Sequence, residues 1–327
     1  MANASDGRPG LDNVLLFSGR SHPALADKIA QYLNIERSPI SVTSFSNDNF
    51  EVQLGVSVRQ KDVFILQTFV KPVSDYLLEL LMMLDIARTS GARSIHAILP
   101  YFSYARSDKK DAPRISVAGR LIADLMIASG AQHIIAMMMH SPQVHGFFNI
   151  HTDHLTAHSV FVDYFRQQDI NNCVVVSPDI GNAKRASKLA RALNLPLAIA
   201  EKKRLSDSAV EVSSLLGDVK GKRVLIADDE IATGGTVITT LKMLKEHGAG
   251  PVTIVATHGL FTGDAAQRFD AIDEIDEIVV TDTVPLPPER RPKRLVTLSV
   301  GHIFGEVIRR TIQGESVGEL FEFWPDP

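Results

Sequence analysis

The chain has 327 residues, 45% hydrophobic and 22% charged, which is material for one large core or two medium ones. A formal net charge of −4 and a pI near 6.3 give no general attraction to nucleic acid or to an anionic membrane. Cys173 is the sole cysteine, which excludes an intramolecular disulfide framework; with a polar amino terminus and no bilayer-length apolar run, a cytoplasmic protein without nucleic-acid or membrane partners is expected.

Short β-rich runs alternate with longer helical patterns, which predicts α/β layers around largely parallel sheets. In the first half, strands are expected over 14–17, 41–45, 63–67, 94–99 and 133–137, with helices over 23–33, 75–89 and 118–128. In the second half, strands are expected over 174–177, 197–200, 224–227, 252–256, 278–281 and 295–299. Residues 26–35 and 186–195 form a weak internal repeat: each follows a strand and loop, shows apolar residues at helical spacing, and carries an Asn near the helix end. Any amphipathic helix shares part of this pattern, so the weight rests on the common order of strand, loop and helix. The repeat predicts two similar domains, 11–155 and 156–320, joined within 153–163, each a mainly parallel sheet flanked by helices. The proline-rich run 285–288 and the basic run 290–294 mark a loop before the last strand and helix.

Three segments carry chemistry. Tyr101 to Asp111 follows the strand 94–99, so its Arg and Lys residues emerge at a strand end, where they can hold a polyphosphate or simply form a solvated loop. His140-Ser141-Pro142-Gln143 follows the strand 133–137. The third is the most informative. The strand 224–227 ends in Asp228 and Asp229, and Ala232-Thr233-Gly234-Gly235-Thr236 then opens a helix near Val237. Free N–H groups and the positive dipole end of a helix favour a phosphate, the glycines let the backbone approach it, and the carboxylates suit a ribose diol or a hydrated Mg²⁺. The alternative is an Asp-Asp cap with a tight Gly-Gly turn. A Walker A loop is excluded, because its Gly-Lys ending is absent.

The loop at 228–236 resembles the phosphoribosyl-diphosphate-binding motif of phosphoribosyltransferases and of the synthetases that make that compound. Tyr-Phe-x-Tyr-Ala-Arg-x-Asp-Lys-Lys at 101–110 and His-Ser-Pro-Gln-x-x-Gly-Phe-Phe at 140–148 closely resemble segments of ribose-phosphate diphosphokinase. Further matches run from Phe45-Ser46-Asn47 and 58–64, through Ser177-Pro178-Asp179 and Lys202-Lys203-Arg204, to 314–317 and Leu320-Phe321, so the resemblance covers nearly the whole chain.

That resemblance implies transfer of diphosphate from Mg-ATP to the anomeric hydroxyl of ribose 5-phosphate. It implies phosphoribosyltransferase-type domains, with ATP served by the first and ribose 5-phosphate by the second. It assigns Mg²⁺ to His140 and Asp179, although imidazole is an unusual ligand for that ion. ATP binding falls to Phe45, Asn47, Asn49, Arg106, Ser107 and Asp111, with Phe45 and Asn47 reaching the adenine from a neighbouring subunit. Catalysis falls to Lys202 and Arg204 on a mobile loop continuing through Leu205–Ser208. Ribose 5-phosphate falls to Asp228, Asp229, Ala232, Thr233, Gly234, Gly235 and Thr236. A homo-oligomer, in rings of dimers and often hexamers, is also implied. The chain departs from the family at four positions: Met138 and Ala232 replace aspartates, Asn49 a glutamate and Ser107 a glutamine. Loss of carboxylates at Met138 and Ala232 keeps a non-catalytic regulatory homologue as an alternative. A phosphoribosyltransferase is a second, but it leaves 106–111 and the repeat unexplained.

Overall fold

The computed structural model describes residues 10–204 and 210–321, which divide into two units: residues up to Thr156 together with those from Val300 onward, and Ala157–Ser299 between them. In the first unit, β1 (Val14–Ser18) leads to α1 (Pro23–Leu33), and then to an antiparallel hairpin of β2 (Ile40–Ser44) and β3 (Phe50–Leu54). There follow β4 (Asp62–Leu66), α2 (Val73–Thr89), β5 (Ser94–Leu99), α3 (Ala118–Ser129), β6 (His133–Met137) and β7 (His151–Leu155). The five strands outside the hairpin form one parallel sheet in the order β1-β4-β5-β6-β7. Its central strands β4 and β6 are buried at every residue, as sheets covered on both faces require.

The second unit opens with α4 (His158–Arg166), β8 (Cys173–Ser177) and α5 (Ala183–Ala192), followed by the hairpin β9 (Leu197–Arg204) and β10 (Val210–Leu216). Then come β11 (Arg223–Ile231), α6 (Gly235–Glu246), β12 (Val252–Gly259), α7 (Ala265–Asp270), β13 (Ile275–Thr281) and β14 (Leu295–Leu298). The sheet order is β10-β9-β8-β11-β12-β13-β14, with only the β9/β10 pair antiparallel. The two units share one plan: strand, helix, hairpin, then four more parallel strands. Both repeat helices are followed by an Asn in the left-handed region, Asn34 at φ 53° and Asn194 at φ 54°, a conformation that Asn tolerates and that ends a helix.

Three strands, β3, β7 and β10, were not visible in the sequence pattern. β7 reads His-Thr-Asp-His-Leu, with no apolar alternation, yet all but His151 are buried. Strands β9 and β11 also run further than the apolar runs 197–200 and 224–227 imply, because sheet pairing carries polar residues beyond them.

The domain limits need one correction. The last helix, α8 (Gly301–Gln313), rejoins the first unit, although the sequence reading assigns 156–320 to the second. Its apolar face, Ile303, Phe304, Val307 and Ile308, is buried, and α8 packs on α1. Gly305 leaves room for the Tyr32 ring, whose Oη donates to Glu306 Oε2 at 2.8 Å. No helix among the described residues is long and apolar enough to cross a membrane.

Candidate active site

In the second unit, the predicted phosphate loop leaves the carboxyl end of β11, beside the end of its parallel neighbour β8. This is where ligands of open α/β sheets sit. The carboxylates lie within the strand rather than after it, with Asp228 opposite Ala256 of β12. Asp229 is buried and its Oδ2 meets Arg185 Nη1 at 3.3 Å. Asp228 Oδ1 accepts the Asp229 amide at 2.8 Å. Burial, and next the neighbouring charge of Asp229, push the Asp228 carboxyl well above its usual range, with Asp179 adding in the same direction.

The loop itself is held by its carbonyls. Ile231 accepts from the amides of Leu260 at 2.9 Å and Phe261 at 3.2 Å, Ala232 from Thr262 at 2.9 Å, and Thr233 from Arg268 Nη1 at 3.1 Å. Gly234 adopts φ 73°, and a β-carbon there would strike Phe269. Gly235 has open space, a β-carbon meeting only Thr233 Oγ1 at 3.7 Å. Among the described residues, the amides of Thr233, Gly234, Gly235 and Thr236 make no hydrogen bond, and no side chain caps the helix. Four N–H groups at a helix start, with exposed Thr233 and Thr236 hydroxyls beside them, form an anion cradle.

Asp179 follows β8, and its Oδ1 accepts the Asn182 amide at 2.9 Å. Two supporting residues escaped the sequence reading. Arg185 balances Asp229, and Asn182 Nδ2 donates to the Ala227 carbonyl at 2.6 Å, tying the Asp179 loop to β11. The only sequence signal was an Asp-x-x-Asn start to a helix, too common to single out.

Lys202 and Arg204 have their backbone in β9, paired with Val212 and Val210 of β10. They continue a hairpin arm rather than sit in a loop after a four-residue strand. The rest of the expected mobile segment, 205–208, lies outside the described residues.

The remaining candidates belong to the first unit. Phe45, Asn47 and Asn49 form the tip of the β2/β3 hairpin, closed by a bond from the Phe45 amide to the Asn49 carbonyl at 2.7 Å. Phe45 is 48% exposed. Asn47 Oδ1 accepts the Asn49 amide at 3.3 Å, and Asn49 Oδ1 the Phe50 amide at 2.8 Å. Arg106 is exposed at the end of a 3₁₀ turn (Ser103–Arg106) after β5. The Ser107 carbonyl accepts the Gly119 amide at 3.1 Å, and exposed Asp111 lies 3.5 Å from Lys109 Nζ. His140 is exposed after β6, two residues beyond Met138 at φ 42°, whose amide donates to Leu155. A left-handed backbone suits the family's aspartate better than methionine. His140 and Asp179 thus stand in different units of the chain.

Residues 14–130 match the model of the N-terminal domain of ribose phosphate pyrophosphokinase, and residues 211–322 that of a phosphoribosyl synthetase-associated domain. A Streptomyces coelicolor relative is 46% identical over 96% of this chain and 99% of its own. A ribose-phosphate pyrophosphokinase of Deinococcus radiodurans is 43% identical over 94% and 98%, respectively. The crystal structure of phosphoribosylpyrophosphate synthetase from Mycobacterium smegmatis superposes with a TM-score of 0.87 at 36% identity, covering 93% of this chain and all of that one. With matches that span both units, the chain belongs to the ribose-phosphate pyrophosphokinase family.

Proposed function

We propose that this chain performs the reaction of its family, moving the terminal diphosphate of ATP onto the anomeric oxygen of ribose 5-phosphate and releasing AMP. The observation that carries the acceptor side is the cradle of four unbonded amides at 233–236. It receives the 5-phosphate, while Asp228 and Asp229 accept hydrogen bonds from the ribose hydroxyls. Arg185 holds Asp229 in place, so the sugar meets a fixed acceptor.

On the donor side, Phe45 stacks on the adenine across a subunit boundary in a homo-oligomer. Asn47, Asn49 and Ser107 border the base, and Arg106 and Asp111 grip the rest of the nucleotide. Lys202 and Arg204 balance the charge that grows on the transferring group. The carboxylates of Asp179, Asp228 and Asp229 are the oxygen donors that a hard dication prefers. Mg²⁺ held by Asp179, with His140 as the family's second ligand, would shield the phosphate oxygens. We place the protein in the cytoplasm, where its substrates are.

Incubation with Mg²⁺, ATP and ribose 5-phosphate should release AMP in step with phosphoribosyl diphosphate, and ATP alone should give none. An inert chain that raises the activity of another synthetase subunit would establish the regulatory alternative.

A further inference from the structure

At the amino-terminal ends of the first unit's strands, opposite the candidate ATP loops, lies a row of buried polar groups that the reaction does not use. The direction of its hydrogen bonds can be followed. Asp62, gripped by Arg93 with Nε to Oδ1 at 2.8 Å, can only accept, so the Ser94 hydroxyl donates to it at 2.7 Å. The serine proton is thereby used, and its oxygen takes the Nε2–H of His96 at 2.7 Å. His96 hydrogen-bonds no carboxylate. Its neutral ring presents a lone pair at Nδ1, and His133 Nδ1, 2.9 Å away, must donate to it. A neutral His133 is then left with a lone pair on Nε2, facing Asp153 Oδ2 at 3.1 Å.

A lone pair and a carboxylate do not attract, and here both are shut from water, His133 at 3% exposure and Asp153 at 1%. The other carboxylate oxygen, Oδ1, is buried without a hydrogen bond and lies 3.2 Å from His151 Nε2. A cation between these groups would balance them, whether a proton on His133 or a metal ion. One ligand atom each from His133, His151 and Asp153 comes within 4.8 Å of the others.

We propose that His133, His151 and Asp153 form a second metal site, for Zn²⁺ or a similar first-row dication, separate from the magnesium of the reaction. Two imidazoles and one carboxylate are the donors such ions prefer, whereas Mg²⁺ demands oxygens. Tetrahedral ligands about 2.1 Å from a metal stand ~3.4 Å apart. The His133 and His151 rings stack at 4.1 Å and 6°, so their in-plane lone pairs run parallel, and the exposed His151 ring must turn out of the stack for both nitrogens to meet one ion. The row His96, Ser94, Asp62 orients His133 as outer-shell partners do. His151, exposed on the edge strand β7, leaves the fourth position to water. The ion would clamp β6 to β7.

The test is titration of chelator-stripped protein with Co²⁺ in excess Mg²⁺, read by visible absorption and by metal content after gel filtration. Wild type should retain one equivalent with a tetrahedral Co²⁺ spectrum. H151A, at an exposed residue outside the reaction, should lose that equivalent and keep AMP formation. D153N should lose it as well. A wild type without a Mg²⁺-resistant equivalent would mean that a proton on His133 fills the gap, and retention by H151A would place the ion elsewhere; either result overturns the proposal.

Discussion

A β-carbon added to Gly234 would lie 2.6 Å from Cζ of Phe269, a ring buried at 1% exposure in the second unit. The phosphate cradle is therefore seated on its unit's core at one glycine and open at the next. Gly234→Ala should lower stability by about 2 kcal/mol or more, through overpacking and a positive φ, as measured by urea denaturation. Gly235→Val should leave the fold intact and remove ribose 5-phosphate binding in calorimetry, with ATP binding kept. Loss of both ligands by a folded Gly235→Val protein would contradict that division.

Asp228 couples the site to pH. Its native carboxyl is raised above the ordinary value of 3.8, so between that value and the raised one the native state holds a proton that the unfolded chain releases. Stability of the ligand-free protein should fall as pH rises through that window. Asp228→Asn should remove this fall and make the protein more stable near neutrality, while weakening Mg²⁺-dependent turnover. Thermal unfolding at a series of pH values checks it; parallel curves for the two proteins would refute the coupling.

Lys202→Ala and Arg204→Ala should each reduce AMP formation by on the order of a hundredfold, with ribose 5-phosphate affinity nearly unchanged, since their charge is needed mainly as the transferring group separates. A rise in KM with kcat intact would make them binding residues instead.

Asn49 already spends its Oδ1 on the Phe50 amide at 2.8 Å, so what it offers a base is chiefly its NH₂ donor. That matches the oxygen of guanine at least as well as the amine of adenine. Asn49→Glu, which supplies an ionised acceptor, should raise the preference for ATP over GTP by about tenfold, or about 1.4 kcal/mol. The ratio of kcat/KM values decides this; no change would shift base reading to Phe45, Asn47 or the backbone.

Glu306 on α8 is held down to about 2 by hydrogen bonds from Arg309, then Arg310 and Tyr32, against the cost of burial. Its native pKa is depressed, so its contribution is fully present above the ordinary 4.5 and is lost as pH falls toward about 2. Glu306→Gln should cost about 1–2 kcal/mol at neutral pH and little at pH 2, because the charged partners then lose a carboxylate in either protein. Equal losses at both pH values would assign the effect to packing against Tyr32.

Where residues are apolar and periodic, local chemistry already determines the outcome. The strand over 94–99 and the helix over 23–33 form at the expected residues, because buried parallel strands and amphipathic helices are each written in consecutive side chains. The cradle was visible for the same reason: glycines, hydroxyls and acids stand together in sequence. The tertiary structure decided what depends on residues far apart. His151 to Leu155 becomes a strand because β6 offers an unpaired edge, not because of its own composition. Asp228 joins β11 because β12 pairs with it and with Glu230 beyond, and Arg185 reaches Asp229 from 44 residues away. The last helix leaves the second unit because Tyr32 and Glu306, 274 residues apart, complete one interface. The His133 and Asp153 pairing arises likewise, since sheet register sets His133 beside His151 and no spacing in the chain encodes it.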